Sequence, residues 1–125
     1  RTRLADLRRT IAALEAFERD GIDLVGDSAG VKEVYLALRP VIIRDSARDE
    51  RRALVHMLMN GPCDGRDLAD DLGISENLAL RVCKALRPVL TVDEAGRYGV
   101  RNDALSVVLF VVRERTGIDP LASLE

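Results

Sequence analysis

The chain has no tryptophan and only two tyrosines and two phenylalanines, so its interior must be built from Leu, Val, Ile and Ala. Lysine is nearly absent, with Lys32 and Lys84 standing against seventeen arginines. Arginine suits planar, bidentate contacts, although genome composition produces the same bias. The two cysteines, Cys63 and Cys83, form no C-x-x-C pair, and the single histidine, His56, has no partner at metal-ligand spacing. This argues against a disulfide framework or a zinc site, and for unpaired thiols in a reducing cytoplasm. No apolar run approaches the roughly 20 residues that span a bilayer, and no stretch resembles a signal peptide, so no membrane association is expected. Paired carboxylates, phosphate-cradling glycines and a nucleophile–base set are also missing, so neither an enzyme nor a cofactor is expected. The chain opens on Arg1 rather than methionine, as expected of a segment trimmed from a longer protein.

What is present is enough for a folded core. With 125 residues, of which 47% are hydrophobic and 32% charged, one domain or two very small ones sharing a core are expected. The net charge of −2 argues against a protein that coats nucleic acid, but a sequence-specific reader needs only a local basic face.

Leu4, Leu7, Ile11 and Leu14, followed by Phe17, give an amphipathic helix over residues 3–19 that stops at Asp20-Gly21. A loop over residues 22–30 leads to a helix over about 29–38, with Val31, Val34, Tyr35 and Leu38 inward. Pro40 disfavours helical geometry at Arg39, and the β-branched Val41-Ile42-Ile43 reads as a short strand. Ser46 reads as the N-cap of a helix over 47–59, with Asp49 and Glu50 in its first turn. That helix packs Leu54, Met57 and Leu58 and leaves His56 on the solvated side, and Gly61-Pro62 ends it. The pentapeptide ALRPV occurs at residues 37–41 and again at 85–89. Both copies are expected to mark the same helix-to-strand joint. The alternative is a worn tandem repeat, which would make the N-terminal third a degenerate copy of the segment around the second pentapeptide.

The informative stretch is RRALVHMLMNG, then DLADDLGIS, then NLALRVCKAL, then LTVDEAGRYGVR. Leu68, Ala69 and Leu72 line a short helix, Gly73 breaks it, Ile74 fills the corner, and Ser75 caps a second helix running to about Arg87. Two helices joined by a tight glycine turn form a helix-turn-helix unit. Two β-rich runs around Asp93–Arg97 then signal a hairpin. This order of elements resembles the winged helix-turn-helix superfamily over about residues 46–101. The resemblance implies a mainly α fold with a small β-hairpin wing, flanked by an N-terminal helical segment (1–45) and a C-terminal apolar helix (102–125). MarR-like and PadR-like regulators are the nearest analogy.

On a wheel at 100° per residue, Leu78, Ala79, Val82, Cys83, Ala85 and Leu86 gather on the inner side of the second helix, and Asn77, Arg81 and Lys84 on the outer side. Arg and Lys suit guanine and Asn suits adenine in the major groove. The resemblance implies that this helix, with Ser75, Asn77, Arg81 and Lys84, reads double-stranded DNA, while the wing tip at Arg97 and Tyr98 touches the backbone or minor groove. Two features oppose this. Leu80 shares the outward face, and residues 62–101 hold six basic against seven acidic side chains, with Asp64, Asp67, Asp70 and Asp71 crowding the first helix. The rival expectation is a winged helix that docks proteins and has no DNA binding of its own.

Asn102 or Asp103 is expected to cap a run through Val112 that reads, by its length and that capping residue, as a helix apolar almost all round, the alternative being an unusually long β-branched strand. One small domain struggles to cover such a helix, so the terminal helices are expected to pair two subunits of a homodimer, as in the MarR-like and PadR-like regulators. Doubling the reading heads would offset weak single-site affinity.

Overall fold

A computed structural model describes residues 2–119. The order is α1 (Thr2–Asp20), α2 (Lys32–Ile42), α3 (Arg48–Asn60), α4 (Gly65–Leu72), α5 (Glu76–Ala85), β1 (Leu90–Val92), β2 (Tyr98–Val100) and α6 (Leu105–Thr116). Short 3-10 turns precede α2, α3 and α6, and a fourth leads from α5 into β1. The fold is mainly α, with one small antiparallel hairpin in the register Leu90↔Val100, Thr91↔Gly99 and Val92↔Tyr98. Among the described residues, no helix is long and apolar enough to cross a membrane.

The centre of the molecule is α6. Ser106, Val107, Val108, Leu109, Phe110, Val111 and Val112 are all buried within the single chain. The helix is apolar on every side because α1, α2 and α3 all pack against it. One chain is thus enough to cover α6, which the sequence alone made look difficult for a small domain. The helix follows a 3-10 turn over Asn102–Ala104, so neither Asn102 nor Asp103 caps it; Ala104 holds the N-cap position.

The amphipathic stripe on α1 lies against α6, with Ile11 and Leu14 buried and Leu4, Leu7 and Phe17 partly so. Glu15 accepts a 2.6 Å hydrogen bond from Arg113 of α6. Three of the four aromatics meet where α1, α2 and α6 converge. Phe17 stands edge-on to Tyr35 at 5.8 Å between centroids, and Tyr35 lies 5.9 Å from Phe110. Such pairs contribute about 0.5–1.5 kcal/mol beyond burial. They compensate for a core otherwise short of large rings.

Two expectations fail between α2 and α3. The first ALRPV copy does not end a helix, because α2 runs through Pro40 to Ile42, and Ile43 N–H donates to Arg39 O at 3.0 Å. The proline sits in the last turn, where it removes only the bond to the carbonyl four residues back. Leu38 and Val41 both pack on the core there, and that packing outweighs β-propensity. The second copy behaves as expected, closing α5 and leading through the turn Arg87–Val89 into β1. The two copies are thus not the same joint, and no strand follows the first among the described residues. Nor does Ser46 cap α3. It lies in the 3-10 turn Asp45–Ala47, with Ala47 at the N-cap position and no side-chain bond there.

Candidate nucleic-acid interface

The α4–α5 unit is held by local bonds at each joint. Asp64 caps α4, its carboxylate accepting from Asp67 N–H at 2.8 Å. Gly73 ends α4 at φ +70°, a left-handed conformation that costs glycine little and side-chain-bearing residues more. Ile74 N–H then donates back to Ala69 O at 3.0 Å. Ser75 begins α5 as expected: its hydroxyl accepts from Leu78 N–H at 3.1 Å. That bond gives the Ser75 hydroxyl a structural role at the head of the helix.

Along α5 the sides separate largely as the wheel predicts. Ala79, Val82, Cys83 and Leu86 are buried, while Asn77, Arg81 and Lys84 are exposed. Ala85, expected inward, is exposed as well. Arg81 and Lys84 have no ion-pair partner among the described residues, and neither do Arg66 on α4 and Arg87 just past α5. The last two cations escaped the sequence reading, which followed a single helical face. Arg87 stands three positions beyond Lys84, and that spacing could have found it.

Leu80, the misfit on the outer face, has a packing role. A Cβ added at Gly65 would come within 2.8 Å of Leu80 Cδ2. The leucine therefore lies over the start of α4, although it remains 43% exposed. Gly65 permits this close approach.

The hairpin loop is a tight closure across Asp93 and Arg97. Asp93 N–H donates to Arg97 O, and Gly96 N–H donates to Asp93 O, each at 3.0 Å. The Asp93 carboxylate also accepts from the backbone of Arg97 and Ala95 and, at 2.8 Å, from Arg97 Nε. These bonds, that from the Arg97 backbone foremost, hold its pKa below the usual carboxylate range. Arg97 is therefore fixed at the tip by Asp93. Tyr98 is the first residue past the loop, in the pair with Val92 that closes it. It is half-buried, because Cys63 pairs with it on the side away from Val92. Cys63 N–H donates to Tyr98 O at 3.0 Å and Tyr98 N–H to Cys63 O at 2.6 Å, which ties the segment entering α4 to β2.

His56 departs from its expected solvated position. Its side chain is only 14% exposed, and Nε2 lies 3.2 Å from Asp71 Oδ2. Nδ1 lies 3.2 Å from the Asn60 side-chain amide. A helix wheel cannot show that α4 folds back over this side of α3. Asp67, Asp70 and Asp71 line a depression of about 560 Å³ with His56, Asn60 and Pro62, and no α5 residue borders it. The acidic groups of α4 thus open mainly toward the end of α3. Among the described residues no cluster of His, Cys, Asp and Glu could hold a metal ion.

No family model matches this chain, and neither does any curated protein or solved structure.

Proposed function

We propose that residues 46–101 form a winged helix-turn-helix that binds double-stranded DNA, with α5 in the major groove and Arg97 near the backbone, in the service of transcription regulation. The observation that carries the reading is the outer face of α5. Asn77, Arg81 and Lys84 project from the second helix of a tight helix–glycine–helix unit, exposed and with no neighbour sealing them. Arg66 and Arg87 add cations for phosphates, which fix register rather than sequence. Affinity of one copy is modest, because the module carries no cationic excess. A second copy would raise it through avidity. Its interface would use exposed apolar groups outside α6, such as Ile22, Val25 and Leu36.

The test is selection of bound sequences from random DNA, followed by anisotropy titrations across a salt series. Each phosphate contact contributes about −0.9 to the slope of log K against log salt. Removing Arg81 and Lys84 together as alanines should abolish the specific complex, whereas removing Arg87 should only flatten the salt slope by about one contact. Specific binding that survives the double substitution would reject the assignment.

A second reading has its own observation: Leu80 and Val92 are 43% and 50% exposed, within a stretch (residues 62–101) that holds six basic against seven acidic side chains. It makes the unit a protein-docking module. Under it the chain binds no DNA even at low salt, and it co-purifies with a partner that Leu80→Asp releases. A partner that stays bound after that change would discard this surface.

A further inference from the structure

A groove lies away from the α5 face, between α3, the end of α4 and the chain beyond α6. Its volume is about 380 Å³, within the range of roughly 300–1,000 Å³ typical of small-molecule pockets. Val55 and Leu72 are half-buried in it, and Met59 and Ile118 border it at 54% and 44% exposure. Ile118 is brought there by a built turn. Gly117 reverses the chain at φ +75°, and Ile118 N–H donates to Thr116 Oγ1, which itself donates to Val112 O at 2.7 Å. The rim is cationic. Arg48, Arg51 and Arg52 all line it and no carboxylate does, although the chain carries a net charge of −2. Arg52 is committed to Leu72 O at 2.7 Å and to Asp49, and Arg51 donates to Arg44 O. Arg48 is exposed and has no ion-pair partner among the described residues.

We infer that this groove binds a small anionic amphiphile of the medium-chain carboxylate class, with the alkyl chain against Val55, Met59, Leu72 and Ile118 and the carboxylate on Arg48. Guanidinium and carboxylate match as planar, bidentate partners. The apolar walls are flexible enough to follow an alkyl chain, since Met59 adapts its shape readily. The inference stands independently of DNA binding. Occupancy would also be felt at α4, because the Arg52–Leu72 bond links the groove wall directly to the last turn of that helix.

The experiment is calorimetric titration of the full chain with octanoate, decanoate and dodecanoate below their micelle concentrations, beside decanol and decyltrimethylammonium. Saturable one-to-one binding is expected for the carboxylates, tightening about two- to fourfold per methylene until the groove is filled. Arg48→Glu should weaken decanoate at least tenfold and leave decanol unchanged. Met59→Glu, at an exposed wall position, should weaken both, with circular dichroism confirming that each variant folds. The inference is overturned if the ammonium amphiphile binds as well as the carboxylate, if Arg48→Glu leaves decanoate binding intact, or if no saturable binding occurs. Capture of an acidic amphipathic peptide without decanoate binding would also overturn it, and would assign the groove to a protein segment.

Discussion

Alanine substitutions around α6 test whether one chain really closes over it. Val107, Val108, Leu109 and Phe110 are consecutive, so at 100° per residue they sample the whole circumference of the helix. All four are nearly inaccessible, from 0% to 4% exposed. Val→Ala removes the equivalent of two methylenes, about 1.6 kcal/mol at 0.8 each, and leaves a small cavity whose cost adds to this. The better helix propensity of alanine returns about 0.5 kcal/mol. The net cost is therefore about 1.5–2.5 kcal/mol for Val107→Ala and for Val108→Ala. Leu109→Ala should cost about 2–5 and Phe110→Ala about 3–5 kcal/mol. Against a total stability of about 5–15 kcal/mol these are large fractions. Urea unfolding followed by far-ultraviolet circular dichroism resolves them, since a slope of about 1–3 kcal/mol/M turns 2 kcal/mol into a midpoint shift on the order of 1 M. An ordinary amphipathic helix would have at least one neutral position among four in a row. If any of the four costs less than about 0.5 kcal/mol, α6 has an open side, and the idea that it faces a second subunit returns.

Two further perturbations probe the end of α2 and the buried thiols. Pro40→Ala should raise thermal stability by about 1–2 kcal/mol, since the restored N–H can bond within α2 while the freer unfolded chain gives back about 0.4–1 kcal/mol; no gain would mean that the helix does not continue past residue 40. Burial, with Cys63 nearby, pushes the Cys83 thiol up to about 11, and burial likewise raises Cys63. Both should therefore resist iodoacetamide at pH 8 in the folded chain and react on unfolding. Because the raised value belongs to the folded state, the contribution of Cys83 is fully present below about pH 9 and is lost as pH rises toward 11. A Cys83→Ala chain whose stability fell as steeply over that window would assign the loss to another group.

The segments from Asp64 to Val100 were the most legible in the sequence. Gly73 and Ser75 act through bonds to near neighbours, and the hairpin closes over a few residues, so local chemistry was sufficient there. Legibility failed where distant elements decided the outcome. Val41-Ile42 carries strand propensity, yet its place is set by the core that α2 packs against. His56 looked solvated because nothing in the helical period of α3 reveals that α4 returns across it. The cover of α6 is hidden for the same reason, since an all-round apolar helix looks the same whether its cover comes from its own chain or from a partner. At the proposed interface, the exposure of Asn77, Arg81 and Lys84 was legible from periodicity. The reach of Leu80 over Gly65 was not, because it depends on how two helices approach.

The paired backbone bonds between Cys63 and Tyr98 have a mechanical consequence. Cys63 immediately precedes the cap of α4, and Tyr98 opens the returning strand, so the two bonds tie the loop end of the hairpin to the root of α4. Hairpin and helix pair are thereby joined backbone to backbone, at a point that side-chain substitutions leave in place.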